Sequence, residues 1–273
     1  MQQSEIKALL PKVLELVIAA GQIISEHSKR DVEIFHKGPV DLVTETDLAV
    51  EAYLLEEFEK LLPGVAFMGE EGEAKGQKSN LNGLTWIVDP VDGTTNYAHN
   101  LPFVATSVAL WSGTEVLLGV INCPLLGECF WAGRGLGAFG GKEEQGKITQ
   151  TKPLKVSGAA QLSQALLASG FPYDFADNLP VILRRLGKVL PLTQGMRRCG
   201  AAAIDMAYVA AGKFDAYYEE GIKPWDVAAG WLLVQEAGGK VSDLKGGGYE
   251  LLKKGIIASN GLVHEQLLEV LKD

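Results

Sequence analysis

Apolar residues at positions 6, 9, 10, 13, 17, 20 and 24 recur at helical spacing and predict one amphipathic helix near the N-terminus. Pro11 falls inside that stripe, so the helix is expected either to start near it or to kink there. After a charged, β-branched patch, Thr44 or Thr46 can cap a second helix that turns Val50, Leu54, Phe58 and Leu61 inward and stops at Pro63-Gly64. Short apolar runs at 65–68 and 85–88 read as strands, and the polar stretch 73–84 as a mobile loop. Runs at 104–111, 115–122 and 128–132 read as an antiparallel meander, which the glycine cluster 133–141 is expected to end. The polar stretch 142–155 is then a candidate seam within a single domain spanning 1–273.

Beyond it the pattern alternates. A strand at 166–169 enters Gly170-Phe171-Pro172-Tyr173-Asp174, and 177–190 is helical with Arg184, Arg185 and Lys188 on a solvated face. Small residues at 200–203 open a helix to Ala211 that can pack closely on a sheet or offer its N–H groups to a ligand. A strand at 214–218 precedes Glu219 and Glu220, and Pro224 suits the first turn of a helix running to Glu236, closed by Gly238-Gly239. Strands at 240–242 and 256–258 and a last helix complete the chain, which carries no internal repeat.

Composition narrows the function. The 273 residues carry a net charge of −9 and form no long basic run, which argues against a nucleic-acid partner. Cys123, Cys129 and Cys199 match neither a zinc site nor a disulfide framework, so free thiols in a reducing, cytoplasmic setting are expected. Lys12 and Glu15 interrupt the N-terminal apolar segment, which reads as too short for a membrane span and lacks a signal-peptide cleavage pattern.

The chemistry gathers at 86–96. An apolar run ends in Asp89-Pro90-Val91-Asp92, and Pro90 forces a turn so that both carboxylates project from one strand end. Two carboxylates held that close repel unless a cation lies between them. All-oxygen ligands suit Mg²⁺, with the Val91 carbonyl as a further donor. Gly93-Thr94-Thr95 offers open backbone N–H groups at the start of a helix, a cradle for an anion, so cation and anion together read as a phosphate site. Glu70 and Glu71, at the tip of the 65–68 strand, are delivered in a similar way, and Asp226 sits at a helix start just beyond a strand. Asp47, in the first turn of its helix, is equally a dipole partner. No P-loop, dinucleotide fingerprint or Gly-x-Ser-x-Gly appears and the four histidines are scattered, so hydrolysis by a metal-activated water fits better than a covalent intermediate.

These motifs resemble those of the inositol monophosphatase family, the lithium-sensitive, Mg²⁺-dependent phosphatases related to fructose-1,6-bisphosphatase. The resemblance rests on 86–96, Gly69-Glu70-Glu71, 41–47, and Trp225-Asp226-Val227-Ala228-Ala229-Gly230 followed by Glu236-Ala237-Gly238-Gly239. It implies an α/β (α+β) fold, a layered α-β-α-β-α sandwich, and a homodimer, for which the apolar strands between 104 and 131 could supply the contact. It also implies Glu70, Asp89 and the Val91 carbonyl as ligands of a first metal ion, and Asp89, Asp92 and Asp226 as ligands of a second. Glu70 would reach a third, weaker ion through water. Phosphate would meet the Gly93 and Thr94 amides. Glu70 and the Thr94 hydroxyl would orient the attacking water, with Asp47 bonding Thr94. Substrate hydroxyls would meet Asp92, the Ala202 amide and Glu219, and Lys37 would lie on a mobile loop near the metals. Ala201 stands where many relatives carry Thr. The implied reaction is hydrolysis of a phosphorylated polyol, inositol 1-phosphate first. Fructose 1,6-bisphosphate, histidinol phosphate, sugar 1-phosphates and 3′-phosphoadenosine 5′-phosphate are the alternatives, and some relatives also act as regulators that bind the transcription machinery.

Overall fold

The computed structural model describes residues 1–30, 32–36, 42–74, 76, 81–172 and 175–272. The predicted positions Lys37, Asp41, Tyr173 and Asp174 lie outside the described residues.

Helix α1 (Gln3–His27) runs unbroken through Pro11 and begins well before it, so Pro11 neither starts nor ends the helix. By length and composition alone α1 could cross a membrane, contrary to its reading as too short: its mean hydropathy reaches 1.6. Here its apolar stripe is instead buried in the protein, where Val13, Val17 and Ile24 pack with α2 (Glu45–Leu61) through Val50, Leu54 and Phe58. Two short strands missed in the sequence, β1 (Ile34–His36) and β2 (Leu42–Thr44), pair antiparallel and lead into α2. Thr44 caps α2, and Asp47 at its third position returns a bond to the Thr44 backbone N–H.

The first large sheet contains β3 (Ala66–Gly69), β4 (Thr85–Asp92), β5 (Ala105–Trp111), β6 (Val116–Cys123), β7 (Glu128–Gly133), β8 (Gly137–Glu144) and β9 (Lys147–Pro153), in that order. β3 is parallel to β4, and every later pair is antiparallel. The glycine cluster therefore does not end the meander. It is built into it, because a β-carbon on Gly141 would stand 2.7 Å from the Ile148 side chain and 2.8 Å from the Thr149 carbonyl of the neighbouring strand. The chain leaves this sheet only after Pro153.

Alternation along β4 places the site. Trp86 and Val88 face the α1/α2 layer, where Trp86 stacks on Phe58 with ring centroids 4.2 Å apart, while Ile87 faces the opposite layer. β4 also runs past Pro90, further than the predicted stop at 88. Three steps from Asp89 to Asp92 oppose two steps of β5, from Ser107 to Ala105, and Pro90 sits within that irregularity. Proline is tolerated at a bulge, where the ladder is already interrupted.

A second sheet has the order β11 (Gly195–Arg197), β10 (Leu166–Ser169), β12 (Ala216–Glu220), β14 (Gly255–Ser259) and β13 (Lys240–Ser242). Between the sheets lie α6 (Ala202–Ala210) and α7 (Pro224–Glu236), whose small residues permit close approach: a β-carbon on Gly119 of β6 would come 2.9 Å from the Ala229 backbone. Outside the second sheet, α5 (Phe175–Val189) and α8 (His264–Leu271) close a further core around Leu167, Ala216 and Ile257. The layers are thus α-β-α-β-α, as the resemblance implied. Two side-chain expectations change. Arg185 is buried and pairs with Glu220, rather than lying on a solvated face, because α5 turns it toward β12. The apolar residues between 104 and 131 are mostly enclosed in the two cores, so they leave little surface for a two-fold contact.

Candidate active site

The predicted acids reach one cavity by three routes. Glu70 opens the short helix α3 (Glu70–Ala74) at the end of β3, a helical turn where sequence alone gave a loop. Asp89 and Asp92 come from the bulged end of β4, and Asp226 from the first turn of α7. All four line a cavity of about 900 Å³, together with Val91, Gly93, Thr94, Phe171, Pro172 and Glu219.

The three aspartates are aimed by the backbone. The Val91 N–H donates to Asp89 Oδ1 at 3.1 Å, the Ala203 N–H to Asp92 Oδ2 at 2.7 Å, and the Lys223 N–H to Asp226 Oδ2 at 2.9 Å. The last is the reciprocal bond of a helix N-terminal box. These bonds do not offset burial and mutual repulsion. Burial, then Glu70, Asp92 and Asp226, hold the Asp89 carboxyl well above the usual carboxylate range. Burial and then Asp226 do the same to Asp92, and burial followed by Glu70 pushes Asp226 up to about 8. Among the described residues, no salt bridge pairs Asp89, Asp92 or Asp226 with a base. An all-oxygen donor set with uncompensated negative charge fits a hard divalent cation. No three His, Cys, Asp or Glu side chains among the described residues converge as a ready-made metal cage.

Beside the acids, Thr94 Oγ1 lies 2.9 Å from Asp47 Oδ1 and 3.0 Å from the Val91 carbonyl oxygen, so its one proton serves one acceptor at a time. Asp47 is itself held by the Thr44 hydroxyl at 2.5 Å and amide at 2.9 Å, and burial, opposed by these bonds, raises its carboxyl above the ordinary range. Gly93 caps the five-residue helix α4 (Thr94–Ala98) with φ +92°, and a β-carbon there would lie 2.6 Å from the Phe103 carbonyl oxygen. Only glycine fits both conditions.

Glu219, which also lines the cavity, is part of β12 rather than beyond it, and the Tyr217 hydroxyl donates to its Oε2 at 2.5 Å. Burial pushes its carboxyl up to about 7. Ala202 opens α6, and the next amide, that of Ala203, is the one that donates to Asp92. Sequence reasoning also passed over Asp205, buried in the first turn of α6 with Oδ1 unpartnered among the described residues and its carboxyl pushed up to about 8 by burial. A lone acid in an otherwise apolar helix was the available signal.

Comparison with known proteins gives one answer. The model of the inositol monophosphatase family matches residues 6–273. An inositol-1-monophosphatase of Caulobacter vibrioides is 39% identical over 245 residues, covering 89% of this chain and 91% of that protein. A Pseudomonas aeruginosa protein named Nus factor SuhB is 39% identical over 272 residues, covering 97% and 96%. The crystal structure of the extragenic suppressor protein SuhB from Bartonella henselae superposes with a TM-score of 0.86 at 34% identity, over 96% of this chain and 97% of that one.

Proposed function

The chain belongs to the inositol monophosphatase family and is a phosphatase; from that premise we propose that its substrate is a monophosphorylated polyol, inositol 1-phosphate first, and its metal Mg²⁺. The observation that carries this reading is the one cavity lined by Glu70, Asp89, Asp92 and Asp226 together with Glu219. Glu70, Asp89, the Val91 carbonyl, Asp92 and Asp226 would hold the cations. When bound, these would neutralise phosphoryl charge and make water acidic enough to attack near neutral pH.

The chain's own residues do the rest. Gly93 and Thr94 offer backbone N–H groups to the phosphate. Asp47 accepts the Thr94 proton, which turns the Thr94 oxygen lone pairs toward the cavity. There, with Glu70, it orients the attacking water. The Ala203 amide fixes Asp92, leaving its second oxygen for a substrate hydroxyl. Ala202 lies beside that contact. Glu219, steadied by Tyr217, accepts hydrogen bonds from a neutral polyol and repels a second phosphate. Purified protein should release phosphate from inositol 1-phosphate, lose this activity to a chelator and regain it with Mg²⁺. It should show higher kcat/KM for that ester than for fructose 1,6-bisphosphate, histidinol phosphate or 3′-phosphoadenosine 5′-phosphate. Turnover that survives chelation removes the metal assignment, and a preference for another ester removes the substrate assignment alone. Lithium inhibition belongs to the same reading and is checked in the same assay.

The thiols of Cys123, Cys129 and Cys199 are free, which supports a cytoplasmic setting; fractionation of the source cells checks it. A homodimer would need a surface other than the enclosed 104–131 strands. Leu179 and Leu183, one turn apart on α5 and exposed, offer one, and a single-chain mass by light scattering would reject the dimer.

A further inference from the structure

The wall that carries Glu219 is clasped from three sides. A β-carbon on Gly170 would fall 1.9 Å from Glu219 Oε2, so the carboxylate rests directly on the backbone of residue 170. Gly221 has φ +74°, and a β-carbon there would stand 2.5 Å from Pro172 Cβ. Between them stands Glu220 at the end of β12, which also borders the cavity, and Arg185 Nη1 of α5 donates to its Oε1. Residues 170–172 therefore pack beside both Glu219 and α5. Phe171 and Pro172 line the substrate cavity. They also border a small cavity of about 20 Å³ shared with Arg185 of α5 and with Tyr218, Glu219 and Glu220 of β12.

We propose that Arg185 is a positioning residue for substrate choice. By tying Glu220 to α5 it fixes the spacing between Glu219 and the Phe171–Pro172 wall, the gap into which polyol hydroxyls must fit. A carboxylate paired with a buried Arg is directional, and losing it leaves the Arg charge without that partner, so the pair suits holding a register better than adding stability. The proposal rests on the reading of Glu219 as the polyol contact.

The test compares inositol 1-phosphate with phenyl phosphate, which presents the same reacting group without hydroxyls. In Arg185→Met the ratio of kcat/KM for the two substrates should fall about tenfold, chiefly through KM for the polyol ester, the scale expected for a misplaced hydroxyl contact. The charge swap Arg185→Glu with Glu220→Arg should restore most of the ratio, which loss of packing alone would not permit. Glu220→Gln, which keeps length and removes charge, should give the same fall and serves if Arg185→Met does not fold. An unchanged ratio in these folded variants, or equal loss on both substrates, overturns the proposal. Glu219→Gln separates the two readings: if it shifts the ratio and the Arg185 and Glu220 variants do not, only the positioning role fails. If Glu219→Gln leaves the ratio unchanged, the polyol contact and the proposal built on it fail together.

Discussion

Asp215 and Asp89 are both buried aspartates near a strand end, yet their surroundings are opposite. Asp215 Oδ1 accepts from the Ser157 hydroxyl at 2.5 Å and Oδ2 from the Leu166 N–H at 2.6 Å. The same Ser157 receives the Asn260 amide at 2.9 Å, and Asn260 in turn accepts the Leu262 and Val263 N–H groups. Through Ser157 these bonds tie the segment after β9 to the start of β12 and the end of β14, and the Leu166 bond ties β10 to the start of β12, so this acid fastens the second sheet. Asp89 receives one local N–H and otherwise confronts Glu70, Asp92 and Asp226. A buried carboxylate satisfied by the protein is architecture; one surrounded by its own kind awaits something from outside.

That contrast can be broken in three places. Asp89→Asn should leave the fold intact, with a melting midpoint equal or higher because a repulsive charge is gone, while kcat falls by roughly 10²–10⁴. Near-normal turnover at saturating Mg²⁺ would erase the distinction. Asp215→Ala should do the reverse. It strands a backbone N–H and a hydroxyl, costing about 2–4 kcal/mol in a urea titration, with activity per folded molecule kept within about threefold. Loss of activity without loss of stability would show that Asp215 belongs to the site.

The smallest effect concerns His264, buried with Nε2 2.9 Å from Ser242 Oγ and Nδ1 2.8 Å from Ser259 Oγ. Burial, then Lys240, holds it down to about 4 in the folded protein, below its ordinary value of 6.5. The unfolded chain therefore takes up this proton first. The contribution of His264 is complete above pH 6.5 and is lost as pH falls toward 4. Melting curves of the wild type and His264→Gln should converge across that window, and parallel curves would refute the assignment.

Much of this was legible in the sequence, for identifiable reasons. The helix from Pro224 to Glu236 was read with its observed bounds, because proline at the first turn and paired glycines after the last are local signals. Asp89 and Asp92 stand out in the sequence because an apolar run ends abruptly in two carboxylates about Pro90, and the structure places both on the cavity. What escaped depended on neighbours distant in sequence. Strands β8 and β9 look like loops, since their glycines are required by the adjoining strand and edge positions need not be apolar. Arg185 reads as solvated until α5 is placed against Glu220, 35 residues later. The bond from the Ala203 amide to Asp92 cannot be read without knowing where α6 begins relative to that acid. Pro11 does not mark the start of α1, because one missing N–H is tolerable in a helix whose stripe is otherwise buried.

The helix layer between the sheets has a consequence for synthesis. β4 to β8 belong to the first 144 residues, yet the face they turn inward is covered by α6 and α7, which end at Ala210 and Glu236. A nascent chain thus presents an apolar sheet face for the time needed to make roughly ninety further residues, on the order of 5–20 s at ordinary elongation rates. During that interval Ile87, Ala109, Ile121 and Phe130 have no helix to cover them. The early part can assemble its α1/α2 side alone, but it becomes self-sufficient only when the helix bearing Asp226 arrives. The cover for this sheet face and the last cavity acid are therefore delivered by one and the same helix.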